Sequence, residues 1–222
     1  MRDAAFVEEM HLGAFDPHIA PVNELVRKLR QERPDLSMPL VAPHYNATTA
    51  RVLSLLSNPG PRANGEDGSG FLSTENDDRT AERLGALYDR IGARSTDVIP
   101  WNAFPWYVHE VHPNGLPLSL VVAGQSALHQ LIQAVPGIRA VVAHGGDARR
   151  AANMYFRDPA HQALIRSRRI RLWTTRHAGD RAFSAPPAER ERRLEEMAGV
   201  YWDAMHWAGL RPTWATGTER DE

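Results

Sequence analysis

The sequence predicts an α/β fold, a three-layer α/β/α arrangement around a short, mainly four-stranded parallel sheet. Four short apolar runs with strand character alternate along the chain with segments in which apolar residues recur at helical spacing. That alternation is typical of a parallel sheet flanked by helices. With 222 residues, of which 42% are hydrophobic and 24% charged, the chain is long enough for one sizeable core, and we interpret residues 1–222 as a single domain.

The predicted strands are short, apolar and bounded by turn or polar residues. The first is stopped by Asn58-Pro59-Gly60-Pro61, a strong turn signal, and a glycine-rich loop follows from Arg62 to Phe71. The later strands lead directly into Asn102, His144 and His177. The predicted strands are residues 51–57, 97–101, 138–143 and 169–175.

Helices are predicted where apolar residues recur three and four apart, with capping residues and glycines as boundaries. Asp77 or Asp78 can cap the helix after the glycine-rich loop, and Gly92 can end it. The prolines of residues 109–118 predict a loop. The predicted helices are one within an N-terminal arm (residues 1–43), one from Asp77 or Asp78 to Gly92, one over 126–135, one that Asp147 caps, and one from Pro187 to Trp207 within a C-terminal segment, 187–209.

Composition excludes several classes of site. The chain has no cysteine, which excludes disulfides, thiol nucleophiles, cysteine-bound zinc and conventional iron–sulfur ligation. Its only lysine, Lys28, lies between Arg27 and Arg30 in an amphipathic stretch and is interpreted as a solvated surface charge. Schiff-base chemistry and a Walker A phosphate loop both require a lysine in a different setting.

No run of about 18 apolar residues is present, so we expect no membrane span. The N-terminus carries Glu8 and Glu9 and lacks the long apolar stretch of a secretory signal. We therefore expect a cytoplasmic protein, and we expect it to be a monomer.

The charge is unevenly distributed. The whole chain has a net charge of −1, but nine arginines and only three aspartates lie between Gly145 and Ala185, a local excess of six positive charges. Such an excess can contact phosphates, or it can form a solvated helix face. The nine are Arg149, Arg150, Arg157, Arg166, Arg168, Arg169, Arg171, Arg176 and Arg181.

In an open parallel sheet the ligand site lies beyond the carboxyl ends of the strands. The polar residues there are Asn58, Asn102, His144 and His177. Each is weak by itself, because Asn-Pro-Gly is usually only a turn and a histidine after a strand is more often structural than catalytic. Their order and spacing are more informative than any one of them.

Five segments together resemble motifs of the uracil-DNA glycosylase superfamily. The first resembles the Gly-x-Asn-Pro-Gly motif of the mismatch-specific and single-strand-selective branches, although Leu56 replaces the leading glycine. The likeness spans roughly residues 41–183. The segments are Leu55-Leu-Ser-Asn-Pro-Gly-Pro61, Gly68-Ser-Gly-Phe-Leu-Ser73, Trp101-Asn-Ala-Phe-Pro-Trp106, Val141-Val-Ala-His-Gly145 and His177-Ala-Gly-Asp-Arg181.

The resemblance implies a monofunctional, cofactor-free DNA glycosylase of base excision repair that holds no metal. It would hydrolyse the N-glycosidic bond of uracil, or of other deaminated or 5-substituted bases, in single- or double-stranded DNA and release the free base. By resemblance, Asn102 reads the extruded base and Phe71 stacks on it, with Ser57 beside them. An asparagine amide suits this role because it offers both a donor and an acceptor. His177 would stabilise the departing anion, and Asn58 would orient the attacking water.

Three arginines are the expected DNA contacts. By resemblance, Arg181 occupies the position that inserts into the duplex, and Arg62 and Arg176 would contact phosphates. The final motif departs from the usual His-Pro-Ser, because Ala178 and Gly179 follow the histidine here. Where some branches carry a tyrosine that blocks the thymine methyl group, this chain has Gly60.

Three other interpretations compete with this one. The run His109-Glu110-Val111-His112 suggests zinc, but the helical zinc-protease motif is His-Glu-x-x-His. The run His144-Gly145-Gly146 resembles an α/β-hydrolase oxyanion loop, but no Gly-x-Ser-x-Gly elbow is present. The third is a non-catalytic nucleic-acid or nucleotide-binding module on the same fold, which would keep Phe71 and Asn102 but lose turnover.

Overall fold

The computed structural model describes residues 4–65 and 68–213 and has helices on both faces of a central parallel sheet. The strands are β1 Leu40–Val41, β2 Val52–Leu56, β3 Phe71–Leu72, β4 Val98–Asn102, β5 Ala140–His144 and β6 Arg171–Thr175. The helices are α1 Ala4–Gly13, α2 Ala20–Glu32, α3 Arg79–Arg90, α4 Leu118–Ala123, α5 Gln125–Ala134, α6 Gly145–Arg157, α7 Gln162–Arg168 and α8 Pro187–Trp207.

The central sheet has the order β4-β2-β5-β6, and all its pairs are parallel. Leu56 is level with Asn102, and His144 is level with Thr175, so the carboxyl ends of the strands lie along one edge. β1 and β3 form a separate parallel pair. The predicted α/β fold with a mainly four-stranded parallel sheet is therefore confirmed.

The sheet has an apolar core on each face because alternate strand residues point in opposite directions. Leu53 and Leu55 of β2 pack into the core that α2, α5 and α6 cover. Val52 packs into the core under α3 and α8. The two cores explain why β2, β4 and β5 are largely apolar and buried, whereas the edge strand β6 is partly exposed.

A crevice is expected where the chain leaves neighbouring strands in opposite directions. The helix after β2, α3, packs on the α8 face of the sheet, whereas the helix after β5, α6, packs on the other face. β2 and β5 are neighbours, so their carboxyl ends form this switch point.

Most predicted elements are found within a few residues of their expected bounds. The helix after the glycine-rich loop begins as predicted, because the Asp78 carboxylate accepts the N–H groups of Thr80 and Ala81. Gly92 follows it with a φ of +58°, a conformation that favours glycine. The C-terminal helix has the predicted bounds.

Several expectations were incomplete or wrong. The arm at residues 1–43 holds two helices rather than one, since Pro17 and Pro21 interrupt the first and restart the second. The pair β1–β3 and helices α4 and α7 were not predicted. Asp147 does not cap α6, which begins at Gly145.

No helix within residues 4–65 and 68–213 is both long enough and apolar enough to cross a membrane.

Candidate active site

A cleft of about 960 Å³ opens at the carboxyl ends of the strands, on the α3 side of the sheet. Its walls come from the ends of β2, β4 and β5, from the loops after them, and from the beginning of α3. Six of the eight predicted site residues line it: Ser57, Asn58, Arg62, Asn102, His177 and Arg181. Residues more than a hundred positions apart in the chain thus share one hollow.

Asn102 is the last residue of β4 and is only 2% exposed. Its register partner is Leu56, and both side chains line the cleft. The Asn102 Nδ2 is buried and donates to no acceptor within the described residues. Leaving a buried donor unsatisfied costs about 1–3 kcal/mol, and native structures rarely keep one without a reason. A ligand with a carbonyl oxygen at this place would satisfy it.

His177 follows β6 and is held by its own loop. The Gly179 N–H donates to its Nδ1 at 2.8 Å. Since Nδ1 accepts, the neutral ring carries its proton on Nε2. Burial lowers the pKa of His177, and Arg83 acts in the same direction, whereas the Asp147 carboxylate opposes them. The ring is therefore neutral at pH 7 and has one N–H to donate.

Two glycines make this placement possible. A Cβ at Gly179 would lie 2.8 Å from the His177 Nδ1, closer than side chains approach. A Cβ at Gly145 would lie 3.1 Å from the His177 Cβ, and Gly145 also has a φ of +77°. The alanine and glycine that follow the histidine are thus compatible with a close main-chain contact to the ring.

Asp147 joins three parts of the cleft wall. Its carboxylate accepts the Ser57 hydroxyl at 2.7 Å, the Leu116 N–H at 2.9 Å and the Arg150 guanidinium. Burial alone would raise the pKa of Asp147, but these hydrogen bonds and the nearby arginine outweigh it and hold that pKa below its ordinary value. Asp147 is therefore an ionised group in the cleft wall that ties the end of β2 to α6.

Asn58 and Gly60 lie at the open side of the cleft. Within the described residues, the Asn58 amide makes only a long contact, 3.4 Å, to the carbonyl of Pro59, so it can bind a water or a ligand. A Cβ at Gly60 would meet nothing within 4 Å. This part of the cleft has room for a bulkier group.

His144 also lines the cleft and belongs to a buried polar network. Its Nε2 lies 2.8 Å from the Tyr201 hydroxyl, which donates to Ser54 at 2.7 Å and lies 3.4 Å from Tyr88. Burial and the neighbouring His177 lower the pKa of His144 to about 3. His144 is therefore a neutral support that fastens β5 to β2 and α8.

Phe71 does not line the cleft, which corrects its predicted role. The ring is fully buried in the opposite core and lies 4.7 Å from the His11 ring. The next residue, Leu72, lines the cleft instead. Successive strand residues point to opposite sides, so β3 presents Leu72 where sequence reasoning expected the aromatic ring.

Two of the three predicted arginines line the cleft, and the third does not. Arg62 and Arg181 line the cleft, and Arg181 donates to the Asn114 side chain at 2.6 Å across its mouth. Arg176 lies outside the cleft wall and pairs with Glu196 at 2.7 Å, so it is not positioned as a phosphate contact for this site.

Among the described residues, the cleft wall is close to neutral. Three arginines and four aspartates of this part of the chain line it. Two of the carboxylates pair with arginines behind the wall, Asp147 with Arg150 and Asp180 with Arg83. The lining set is Arg62, Arg79, Arg181, Asp77, Asp78, Asp147 and Asp180.

Sequence reasoning missed Asp147, Leu72 and Gly179 as parts of the site. Asp147, two residues after Gly145, was interpreted as a helix cap. Its place after a strand at the switch point could have indicated a site residue. No sequence signal distinguished Leu72 from Phe71. Within the described residues, no group of three or more histidines and carboxylates could hold a metal ion. His109, from the run considered for zinc, lies in the cleft wall.

A scan against known protein families finds no family that matches the chain. No curated protein matches it significantly either.

Proposed function

We propose that the protein is a monofunctional DNA glycosylase that removes uracil from DNA by hydrolysis. One observation carries the proposal: a buried asparagine amide, with its Nδ2 unsatisfied among the described residues, lines the same cleft as a neutral histidine that has an N–H to donate. The pair matches an extruded base that brings carbonyl oxygens to both of them.

Asn102 is proposed to recognise the base. Uracil presents a carbonyl, O4, beside an N–H, and an asparagine side chain complements that edge with one donor and one acceptor. Cytosine has an amino group in place of O4, so it would leave the buried Nδ2 facing another donor. A site that hydrogen-bonds its substrate rejects the wrong analogue strongly, because its own polar groups are then unpaired.

His177 is proposed to stabilise the departing base. When the bond between N1 and C1′ breaks, its electron pair stays on the uracil ring and charge accumulates on O2. The Nε2–H of a neutral His177, fixed by the Gly179 N–H, is a preorganised donor for that oxygen. Protonation of Nδ1 would turn it into a donor that faces the Gly179 N–H, and this repulsion would disturb the position of the ring.

Water completes the reaction. Its oxygen bonds to C1′, one of its protons goes to solvent or to the released base, and the products are free uracil and an abasic sugar. Asn58 is proposed to orient this water, since its amide has only one long contact in the described chain. An amide is a poor base, so it acts by positioning. The ionised Asp147 adds a negative charge in the wall that favours the cation-like sugar.

The near-neutral wall specifically favours a second candidate. A cleft with three arginines and four aspartates attracts a polyanion weakly. A non-catalytic module that binds a nucleotide or a single strand would tolerate this better than an enzyme that must grip a duplex. We rank it second because simple base binding would not require the His177 donor. Monomeric state and cytoplasmic location remain predictions that accompany either function.

A labelled single-stranded oligonucleotide with one uracil tests the proposal. We expect free uracil and an abasic site that breaks only on treatment with alkali, because the single lysine of the chain, Lys28, does not line the cleft and Schiff-base chemistry needs an amine there. Oligonucleotides with cytosine or thymine at the same position are the matched substrates. Duplexes that carry uracil, hypoxanthine, xanthine or a thymine mismatch define the preferred lesion.

Two results would contradict the proposal. Binding of the uracil strand without release of any base in the panel would leave the non-catalytic module as the function. Strand breakage before alkali, at the rate of base release, would show lyase chemistry that this mechanism does not contain.

A further inference from the structure

The arginine-rich part of the sequence does not surround the cleft. Of the nine arginines between Gly145 and Ala185, only Arg181 lines it. Five lie within residues 157–171, where Asp158 is the only carboxylate. None of these five pairs with a carboxylate in the described part of the chain, unlike most surface arginines of α2 and α3. They are Arg157, Arg166, Arg168, Arg169 and Arg171.

Two of these arginines are held over tryptophan rings. The Arg171 guanidinium lies 4.4 Å from the centre of the Trp207 ring and 5.4 Å from that of Trp173. Arg169 lies 5.5 Å from the Trp207 ring, and the Trp207 indole N–H donates to the Arg169 carbonyl at 3.0 Å. Trp207 is 36% exposed. We call Arg169, Arg171, Trp173 and Trp207 the arginine–tryptophan platform.

The platform lies at the end of the sheet opposite the cleft. Arg171 is the first residue of the edge strand β6 and pairs in register with Ala140, the first residue of β5. The cleft is at the carboxyl ends of the same strands. A strand of five residues is about 17 Å long, so a ligand in the cleft does not reach the platform directly.

A purely structural role explains only part of this arrangement. Cations near the end of a helix favour its dipole, and Trp207 ends α8. That role does not require two arginines, nor an arginine at position 169, where the backbone has a φ of +54° that glycine or asparagine adopts more easily. Asp203, one turn before Trp207, forms no ion pair with either arginine within the described residues.

We propose that the arginine–tryptophan platform is a second nucleic-acid contact, which binds the phosphate backbone of a single strand. Guanidinium groups fixed over rings keep their N–H edges free for phosphate oxygens. The exposed indole of Trp207 offers a surface for an unpaired base. An acidic peptide matches the charge equally well, but the exposed indole of Trp207 favours a strand whose unpaired bases can stack on it. The proposal does not depend on what the cleft does.

The test measures binding of a uracil-free oligothymidylate of about 20 nucleotides over a range of salt concentrations. The double variant Arg169→Gln/Arg171→Gln removes both charges. Each phosphate contact to a single strand contributes roughly 0.7 to the salt slope of log K, so we expect weaker binding and a slope shallower by about 1.4. Arg169→Lys/Arg171→Lys should restore most of that slope. Arg27→Gln/Arg33→Gln, two arginines already paired with carboxylates, is the matched control.

A second measurement uses the unaltered protein, in case the double variant does not fold. The indole N–H resonance of Trp207 should shift when the oligothymidylate is added, and that of the fully buried Trp101 should not. Unchanged affinity and slope in the folded glutamine variant, or no shift at Trp207, would overturn the proposal. Binding of polyglutamate but not of the oligonucleotide would do the same in favour of a protein partner. Uracil release, measured in parallel, tests the cleft separately.

Discussion

The two ends of the parallel sheet differ in charge and in enclosure. At the carboxyl ends, a near-neutral cleft holds a buried amide and a neutral histidine, and two of its four aspartates pair with arginines behind the wall. At the opposite end, two arginines that pair with no carboxylate among the described residues lie over tryptophan rings. One end has specific polar geometry and little net charge, and the other has charge and little enclosure.

Under the two proposals, this difference separates recognition of a base in the cleft from electrostatic attraction of the strand at the platform. Hydrogen-bond geometry in a closed site discriminates between bases, whereas exposed positive charge attracts any nucleic acid. Changes in the cleft should therefore alter chemistry and leave the salt dependence of strand binding unchanged. Changes in the platform should do the reverse. The following variants test that separation, from the largest expected effect to the smallest.

His177→Ala should reduce uracil release by about 10²–10³-fold, the usual cost of losing one preorganised donor to a developing anion. Strand affinity and its salt slope should not change. Single-turnover release from the uracil oligonucleotide is the measurement, and His206→Ala, an exposed histidine on α8, is the control. A rate within threefold of the unaltered protein would mean that the chemistry is elsewhere.

Gly179→Ala should slow release by up to about 100-fold, because the new Cβ would lie 2.8 Å from the His177 Nδ1 and displace the ring. Gly199→Ala is the matched control, since a Cβ at Gly199 meets nothing within 4 Å. The same single-turnover assay compares the two. If both variants release uracil equally fast, the contact between Gly179 and the ring does not set the position of His177.

Asn102→Asp should change the preferred base. A protonated or water-bridged carboxyl accommodates the amino group of cytosine better than the amide does, and the loss of the Nδ2 donor should slow uracil release by about 10–100-fold, equivalent to about 1–3 kcal/mol. Competition between uracil and cytosine oligonucleotides measures the ratio. An unchanged ratio would remove Asn102 from base recognition.

Asp147→Asn should move the acid side of the pH–rate profile. Burial keeps the pKa of His177 below its ordinary value of 6.5, so release should not fall between pH 8 and 6.5 and should decline only below that. The Asp147 charge raises that pKa, and its removal should lower it, so the decline should begin at a lower pH. Release at pH 7 should fall by about tenfold as the hydrogen bonds to Ser57 and Leu116 weaken. A decline at unchanged pH would contradict this coupling.

Gly60→Tyr should have the smallest effect on uracil itself. A Cβ at Gly60 would meet nothing within 4 Å. Under the proposed function, this space would accept a substituent at C5 of the base, and a tyrosine would fill it. We expect release of 5-substituted uracils to fall by roughly tenfold relative to uracil, in line with the 10–200-fold limits of apolar discrimination. If release of uracil and release of 5-substituted uracils fall equally, the C5 substituent does not lie beside residue 60.

Residues of the candidate site could be predicted from the sequence only where they lie at the end of a predicted strand. Asn102 ends the apolar strand β4, and His177 closely follows β6, so their place at one edge of the sheet follows from parallel topology. Phe71 could not be placed, since β3 is too short for an alternation pattern to show which residue faces the cleft. The arginine-rich segment gave the number of positive charges, but the sequence did not show on which surface of the fold those arginines lie.

The sequence by itself determined the order of strands and helices, their approximate bounds, and which polar residues follow the strands, because these depend on local periodicity and turn chemistry. Only the tertiary structure decided that Asp147 bonds to Ser57, that the Gly179 N–H sets the tautomer of His177, and that the unpaired arginines lie opposite the cleft. Those facts depend on contacts between segments far apart in the chain, and local pattern carries no information about such distances.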